Sequence, residues 1–338
     1  MQLYLHPFAL PLRHTFRIST GEVSVQETLI VELRDGGISG FGEATVSGTF
    51  GITMASMVDL LEANRGRIES SSFTDPAAWW ADLDPVLQAN RFAQCALDEA
   101  AHDLWGKRLG KPVYELWGLT LDRIPHSNFT IGIDTVEVMV AKLKEMPDWP
   151  IYKIKLGTDR DLGIIRELRR HTSAPFRVDA NTDWSGDELL RNAPQLCDLG
   201  VEFIEQPLKR DQWEEMRRVK PLSALPLMAD ESCQMESDVE KCQGAYHGIN
   251  IKLVKCGGLT PARRMIAHAR KLGLRVMCGC MTESTVGISA IAQLLPLLDD
   301  VDLDGAALLA KDCADGVKVE RGIAKFPQRA GTGVELRP

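Results

Sequence analysis

The stretch IYKIKLG, residues 151–157, decides the fold because it belongs to a repeating series. It alternates apolar residues with Lys153 and Lys155, which is typical of a buried β-strand. Similar runs occur from about Ser127 onward, namely SNFTIGI, PFRVDAN, VEFIEQP, PLMADES, GINIKLVK, LRVMCGC and DVDLDG. Helical stretches of about 10–15 residues separate them. These eight strand–helix repeats predict an α/β protein built on a (β/α)₈ TIM barrel.

The chain divides into three predicted parts around this barrel. Residues 1–120 form an α+β unit, because ETLIVELRDGG and ISGFGEA predict an antiparallel hairpin and helical periodicity follows between about residues 77 and 116. Residues 121–307 form the barrel. Residues 308–338 return to short strands, and we expect this tail to pack back on the N-terminal unit.

Composition indicates the class of partner. The chain has 338 residues, of which 44% are hydrophobic and 25% charged, and its formal net charge of -8 argues against nucleic acid or an anionic membrane as a partner. No signal peptide or membrane-spanning run is predicted. Eight scattered cysteines without a C-x-x-C pair indicate reduced thiols and a cytoplasmic location. A small-molecule substrate is therefore the prediction, and a homo-oligomer is compatible with it.

Three predicted strands end in a carboxylate. Asp179 ends VDAN, Glu205 lies in IEQP and Asp230 lies in ADES, at a spacing of about one βα repeat. Three carboxylates at one end of a barrel repel one another unless a cation lies between them, and oxygen ligands of this kind suit Mg²⁺. The alternative is that each acid caps the helix that follows it. The occurrence of a carboxylate at the same point of three successive strands favours the metal site.

Lysines lie on two walls of the predicted barrel. Strand two carries Lys155, strand six ends NIKLVKCGG with Lys252, and these strands stand on opposite sides of an eight-stranded barrel. We therefore expect Lys155 and Lys252 to face one substrate carbon as two bases, with pKa values lowered by the metal and the other ammonium groups. Lys153 is expected to form a salt bridge to a metal-binding carboxylate and to contribute to substrate binding. Lys255, three residues after Lys252, is expected to face the opposite way.

These motifs, in this order, resemble the muconate lactonizing enzyme subgroup of the enolase superfamily. The resemblance covers essentially the whole chain and rests on K-x-K, D-A-N, E-Q-P, A-D-E-S and K-x-x-K-x-G-G. It implies a modified barrel that lacks its last helix, covered by an N-terminal α+β capping domain. It also implies that Asp179, Glu205 and Asp230 bind Mg²⁺ and that Lys155 and Lys252 are the acid/base pair.

The last predicted strand, in DVDLDG, restricts the resemblance to one class of enzymes within the subgroup. Asp302 and Asp304 are two residues apart and therefore share one face of the strand. They resemble the D-x-D motif of dipeptide epimerases, which binds a substrate α-ammonium. Turn or cap roles are the alternative for these two residues. Thr130 and Met281, on the first and seventh strand segments, complete the predicted substrate contacts at the barrel. The segment GCMTESTVGIS contains no histidine, which argues against the acid-sugar dehydratases of the superfamily.

Two loops of the N-terminal unit are expected to contact the substrate side chain. FRISTGEV, residues 16–23, contains Arg17, which would meet a substrate carboxylate if it faced the pocket. SGTFGITM, residues 47–54, contains Phe50, Ile52 and Met54, which would form an apolar lid or else ordinary core packing. These residues predict a small or hydrophobic side chain on the substrate rather than glutamate.

The sequence therefore predicts an isomerase. Its expected reaction is the Mg²⁺-dependent epimerisation of a dipeptide, of the L-Ala-D/L-Glu epimerase kind, by two-base 1,1-proton transfer through an enediolate. Alternatives within the subgroup are N-acylamino acid racemase, o-succinylbenzoate synthase and cycloisomerase. From other classes, a non-catalytic barrel would leave the carboxylates and lysines unexplained, and a metal-dependent hydrolase would favour histidine ligands.

Overall fold

The protein is described here by a computed structural model that covers residues 1–18 and 21–337. Its N-terminal part begins with a three-stranded antiparallel sheet of β1 (Gln2–Ile18), β2 (Gly21–Asp35) and β3 (Ile38–Thr45). The predicted β2–β3 hairpin is confirmed: Asp35 pairs with Ile38, and Gly36 and Gly37 turn the chain with positive φ angles.

Helices cover one face of this sheet. They are α1 (Met54–Ala63), α2 (Arg65–Ser70), α3 (Pro76–Leu87), α4 (Arg91–Leu109) and α5 (Val113–Leu116). Strand β3 lies directly on α4, because a Cβ atom on Gly40 or Gly42 would come within 2.3 Å of a backbone oxygen of that helix. Most of α4 is consequently buried, and the helix lies between the sheet and the barrel.

The second part is a parallel eight-stranded barrel. Its strands are β4 (Phe129–Ile131), β5 (Tyr152–Lys155), β6 (Phe176–Asp179), β7 (Val201–Glu205), β8 (Leu227–Ala229), β9 (Gly248–Ile251), β10 (Arg275–Gly279) and β11 (Asp300–Asp302). They are hydrogen-bonded in sequence order, and a single bridge between Ser127 and Val301 brings the first and last strands together. The eight predicted strands are all present.

Helices follow seven of the eight strands. They are α6 (Val136–Glu145), α7 (Asp161–Arg169), α8 (Gly186–Asp198), α9 (Trp213–Val219), α10 (Glu236–Cys242), α11 (Leu253–Cys256), α12 (Leu259–Lys271) and α13 (Thr285–Ala292). After β11 the chain enters a short 3₁₀ turn, Gly305–Leu308, in place of an eighth helix. The modified barrel is confirmed. Over the part of the chain described, no helix combines the length and apolarity needed to cross a bilayer.

The lower end of the barrel, where the strands begin, is filled by side chains. Phe203, Met228 and Met277 form a small apolar cluster of their own. Below them, the Arg177 guanidinium lies 5.2 Å from the Phe203 ring centroid and donates to Asp300 Oδ1 at 2.7 Å. Because this end is closed, space for a substrate remains at the carboxyl ends of the strands.

The C-terminal segment returns to the N-terminal helices. It contains β12 (Ala314–Asp315), β13 (Lys318–Glu320), β14 (Ile323–Lys325) and β15 (Glu335–Leu336). The Val113 N–H donates to the Gly331 carbonyl, and Thr332 donates through its backbone N–H and its hydroxyl to Asp103 of α4. These contacts join the C-terminal segment to the N-terminal unit, where we expect them. The domain limits at residues 120 and 307 stay a prediction.

Candidate active site

Three carboxylates meet at the carboxyl ends of neighbouring strands. Asp179 ends β6, Glu205 ends β7 and Asp230 directly follows β8. All three are buried, and one oxygen from each lies within 4.8 Å of the other two. A cluster of three anions out of water is costly unless cations compensate it. The predicted convergence of these strand-end acids is therefore present in the structure.

The donors around this cluster fit a divalent metal ion. Of the described buried side chains, the polar atoms without a hydrogen-bond partner include Asn181 Oδ1, Asn250 Oδ1 and Glu231 Oε2. Asn181 and Asn250 are hydrogen-bonded to Asp179 and Glu205 through other atoms, and Glu231 follows Asp230 in the chain. Unpaired oxygens beside three hard anionic donors are suited to Mg²⁺ and the water molecules that it retains.

Four lysine ammonium groups surround the carboxylates. Lys153 Nζ lies 2.8 Å from Glu205 Oε2 and 3.3 Å from Asp179 Oδ2. Lys155 Nζ donates to Asp179 Oδ2 at 2.7 Å. On the far wall, Lys252 Nζ lies 2.9 Å from Asp230 Oδ2. Each of the three carboxylates therefore has at least one ammonium partner within the barrel.

Exposure separates two of these lysines from the others. The side chains of Lys155 and Lys252 are 10% and 14% exposed, whereas those of Lys153 and Lys255 are 2% and 0% exposed. Lys155 is on β5 and Lys252 follows β9, four strands further round the eight-stranded barrel. Two lysines on opposite walls thus retain access to the space above the carboxylates, which is the geometry expected of two facing bases.

The expectation that Lys255 faces away is wrong. The strand ends at Ile251, and residues 253–256 form the one-turn helix α11, so Lys252 and Lys255 have helical rather than strand spacing. Lys255 Nζ donates to Asp230 Oδ1 at 2.5 Å and to the Asp230 and Cys233 carbonyls at 2.6 and 3.1 Å. Asp230 is consequently held from two sides by two ammonium groups.

The charges of Asp230 and Lys252 shift each other's pKa values. Burial acts to raise the pKa of Asp230, but Lys252, Lys255 and Lys153 outweigh it and hold that pKa well below its usual range. Burial acts to lower the pKa of Lys252, but Asp230 outweighs it and raises the pKa above its ordinary value. The prediction that the pKa of Lys252 is lowered is therefore wrong: the neighbouring Lys153 ammonium does lower it, but its effect is smaller than that of Asp230.

Asp302 and Asp304 form a second acidic group beside the first. Asp302 Oδ2 lies 3.1 Å from Lys153 Nζ, and its Oδ1 accepts from Asn128 at 2.8 Å. Asp304 accepts the backbone N–H and the hydroxyl of Thr130. Burial and then Asp302 raise the pKa of Asp304 well above its usual range. An additional positive group bound here would compensate the buried charge.

The loop after β10 borders this second group. Cys280 Sγ lies with oxygens of Asp302 and Asp304 in one cluster within 4.8 Å. The Met281 N–H donates to Glu283 Oε1 at 3.1 Å. Gly305 fits tightly beneath the loop, because a Cβ there would come within 2.3 Å of the Met281 carbonyl oxygen. Met281 and Thr130 are therefore both positioned at the edge of the site.

The capping-loop residues have definite contacts of their own. Arg17 is 44% exposed, and it donates to Glu22 at 2.6 Å and to Asp134 at 3.3 Å. Its positive charge is thus already shared between two carboxylates. The Phe50 ring packs on Phe92 with centroids 5.6 Å apart, as expected for core packing. The middle of the first capping loop, residues 19 and 20, lies outside the described residues.

Two polar residues of the site were not predicted from the sequence. Asn250 Nδ2 donates to Glu205 Oε1 at 2.8 Å, and the Asn250 side chain faces the barrel interior with the same period as Lys252. That two-residue period was a signal that could have identified it. Glu231 follows Asp230, and burial followed by the Asp230 charge raises the pKa of Glu231 to about 7.

This barrel, its sheet-and-helix cap and its three strand-end carboxylates define a member of the enolase superfamily. The chain belongs to the mandelate racemase / muconate lactonizing enzyme family: residues 2–118 match the N-terminal domain of that family, and residues 136–338 match its enolase C-terminal domain-like part. The resemblance stated from the sequence motifs is confirmed.

Relatives within this family are similar over nearly the whole chain. The L-Ala-D/L-amino acid epimerase of Maribacter sp. (strain HTCC2170 / KCCM 42371) is 56% identical and covers 99% of each chain. The enzyme of the same name from Flavobacterium johnsoniae is 53% identical over 99% of this chain and 100% of its own. The structure of the dipeptide epimerase from Cytophaga hutchinsonii, complexed with Mg and D-Ala-L-Val, has a TM-score of 0.94 at 26% identity, covering 100% and 96% of the two chains.

Proposed function

We propose that this protein is a Mg²⁺-dependent dipeptide epimerase that inverts the α-carbon next to the C-terminal carboxylate of its substrate. The observation that carries the proposal is the placement of Lys155 and Lys252 on opposite walls above one cluster of three carboxylates. The names of the Maribacter and Flavobacterium relatives support an epimerase that acts on L-Ala dipeptides. Eight free cysteines accord with a cytoplasmic location as part of this proposal.

Asp179, Glu205 and Asp230 hold the metal ion in this proposal. When bound, Mg²⁺ neutralises the substrate carboxylate and stabilises the negative charge that develops when the α-proton leaves. Lys153 and Lys255, buried and bonded to these carboxylates, keep the three acids in place and reduce their mutual repulsion.

Lys155 and Lys252 transfer the proton. Asp230 raises the pKa of Lys252, and a metal held by Asp230 would take up the charge that does so. The neutral amine of one lysine then takes the α-proton from one face of the substrate carbon, and the ammonium of the other delivers a proton to the opposite face. Because the two Nζ atoms approach from β5 and from the end of β9, each isomer presents its α-proton to a different lysine. The same pair serves both directions of the reaction, with the roles of acid and base exchanged.

Asp302 and Asp304 bind the substrate α-ammonium. Lys153 shares the charge of Asp302, and Thr130 donates two hydrogen bonds to Asp304. Burial and Asp302 raise the pKa of Asp304, so an ammonium placed between the two side chains would supply the positive charge that allows Asp304 to ionise. This argues against the N-acylamino acid racemase, o-succinylbenzoate synthase and cycloisomerase alternatives, whose substrates have no free α-ammonium. Met281 completes the proposed contacts around this end of the substrate.

The side chain of the epimerised residue is proposed to be small or apolar. Arg17 is the predicted cation for a glutamate side chain, but Glu22 and Asp134 already accept from it. A buried carboxylate without a free partner is costly. Small and apolar side chains need no such partner, and discrimination among them is about 1–3 kcal/mol per methylene, hence a broad range.

The test is a screen of L-Ala-X dipeptides in deuterated water with Mg²⁺, in which mass spectrometry records deuterium gained at the α-carbon. We expect exchange and inversion of L-Ala-L-Ala and L-Ala-L-Leu at least as fast as of L-Ala-L-Glu. N-acetylated forms of the same dipeptides are the control and should react poorly. A clean preference for L-Ala-L-Glu would refute the proposed side-chain selectivity, and equal turnover of acetylated dipeptides would favour an N-acylamino acid racemase.

A further inference from the structure

Helix α11 connects Lys252 to Gly257 through the hydrogen bonds of a single turn. Lys252 is its N-cap, and Gly257 is its C-cap in the left-handed region, at φ +98°. The Lys252 carbonyl accepts the Lys255 N–H at 3.0 Å, and the Leu253 carbonyl accepts the N–H groups of Gly257 and Gly258 at 2.9 Å each. The single turn is thus fully bonded, and a displacement at Gly257 would move Lys252 as well.

A tryptophan of the capping domain holds that far end. Trp80, on α3, donates through its indole Nε1–H to the Gly257 carbonyl at 2.8 Å. Its half-buried ring lies between two guanidinium groups, Arg91 on α4 at 5.6 Å and Arg264 on α12 at 4.7 Å from the ring centroid. Contacts of this kind favour one orientation of the indole and therefore of its N–H.

Helix α4 fixes the neighbouring residue from the same side. Asp98 accepts the Thr260 N–H at 2.9 Å and the Thr260 hydroxyl at 2.8 Å, and it thereby caps the start of α12. Gly258 touches Asp98 so closely that a Cβ would lie 2.3 Å from Asp98 Oδ2. The turn after Lys252 is consequently held between the capping domain and α12.

Lys155 has no comparable support. It lies on β5, which is hydrogen-bonded to β4 and β6 inside the barrel. Across the residues that the structure describes, no hydrogen bond joins α3 or α4 to β5. A change confined to the indole of Trp80 should therefore affect the position of one of the two facing lysines and leave the other in place.

We infer that Trp80 is a positioning residue for Lys252, and that it controls proton transfer on only one face of the substrate carbon. This inference rests on the proposed epimerase function. Trp80 has no contact with substrate in this scheme. It acts by fixing the carbonyl at the end of the helical turn that begins at Lys252. A small misplacement of a reacting group is enough to change a rate strongly.

The experiment compares α-proton loss from the two isomers of one dipeptide, L-Ala-L-Leu and L-Ala-D-Leu, in deuterated water. Saturating Mg²⁺ is used so that a change in metal affinity through Lys255 does not contribute. Lys155→Ala identifies the isomer that faces Lys252, because that isomer alone still loses its α-proton. We therefore measure Trp80→Phe in two backgrounds, Lys155→Ala for the isomer that faces Lys252 and Lys252→Ala for the other isomer. We expect the ratio of the first exchange rate to the second to fall by about threefold or more.

Trp79→Phe is the matched control. Trp79 neighbours Trp80 on α3 and also donates its indole N–H to one partner, the Ser71 hydroxyl at 2.7 Å, but this contact stays inside the capping domain. The Trp79→Phe change should leave the ratio of the two exchange rates at the value found without it, even if the protein is less stable. An unchanged ratio in Trp80→Phe, or a shift of the same size in both variants, would overturn the inference.

A second measurement tests the inference without using activity. Amide hydrogen exchange of the segment 252–262, followed by mass spectrometry, should become faster in Trp80→Phe and stay unchanged in Trp79→Phe. If wild-type protein exchanged the α-proton of no dipeptide, the proposed function would fail, and the amide measurement would still decide whether Trp80 holds this turn. Equal amide protection in Trp80→Phe and wild type contradicts the positioning role.

Discussion

Lys252 and Lys255 hold different oxygens of one carboxylate: Lys252 Nζ lies 2.9 Å from Asp230 Oδ2, and Lys255 Nζ lies 2.5 Å from Asp230 Oδ1. The two lysines differ in burial, since the Lys255 side chain is 0% exposed and the Lys252 side chain 14% exposed. This difference predicts a division of labour. Lys255 stabilises the site, and Lys252 remains available to the substrate.

Replacement of Lys255 should therefore affect stability more than replacement of Lys252. We expect Lys255→Met to lower the free energy of unfolding by about 3 kcal/mol or more, because it leaves a buried carboxylate with one partner fewer. Lys252→Met is the matched variant, which should lose epimerisation with a smaller loss of stability. Urea denaturation of both proteins measures the difference, and equal midpoints would contradict the assignment.

The metal site leads to a second prediction. Excess chelator should abolish turnover, and added Mg²⁺ should restore it. Glu205→Gln should also abolish turnover with the fold intact, because it removes one of three anionic donors while keeping the side-chain shape. Activity assays with and without chelator, together with circular dichroism of the variant, provide the test. Full activity in chelator or in the variant would rule out the metal-dependent reaction.

Two facing bases have a distinct isotopic signature. Lys155→Ala and Lys252→Ala should each stop epimerisation, because the reaction needs a base and an acid on opposite faces. Each variant should still exchange the α-proton of one isomer with deuterated water, and the two variants should differ in which isomer they exchange. Nuclear magnetic resonance of both isomers reports this directly. Inversion at the wild-type rate in either variant would exclude the two-base scheme.

The acidic pair beside β11 predicts a requirement for a free ammonium on the substrate. Asp304→Asn should reduce kcat/KM for dipeptides by the equivalent of about 1.5–3 kcal/mol, the contribution of a charge-assisted hydrogen bond. Asp302→Asn should reduce it as well, and it should also disturb Lys153, which contacts Asp302 at 3.1 Å. Steady-state kinetics with free and N-acetylated dipeptides separates the effects. If Asp304→Asn affected both substrates equally, the ammonium contact would be excluded.

The barrel and its carboxylates could be predicted because they follow local periodicity. Each strand is a short apolar run, and the acids Asp179, Glu205 and Asp230 recur at the same point of successive repeats. The position of Lys255 could not be derived in this way, since the strand period of two ends at Ile251 and a single helical turn follows. The contact between Trp80 and Gly257 joins residues 177 positions apart, a distance over which periodicity carries no information.

Lys153 contacts both acidic groups of the site, since its one ammonium lies 2.8 Å from Glu205 Oε2 and 3.1 Å from Asp302 Oδ2. Because the two acidic groups share this cation, a ligand bound at one group changes the balance of charge at the other. Whatever binds at the three-carboxylate cluster changes how strongly Lys153 compensates Asp302, and with it the affinity for a positive group there. Thermodynamic linkage requires the effect to be reciprocal. Metal and dipeptide should therefore bind with measurable cooperativity, positive or negative, and not as independent ligands.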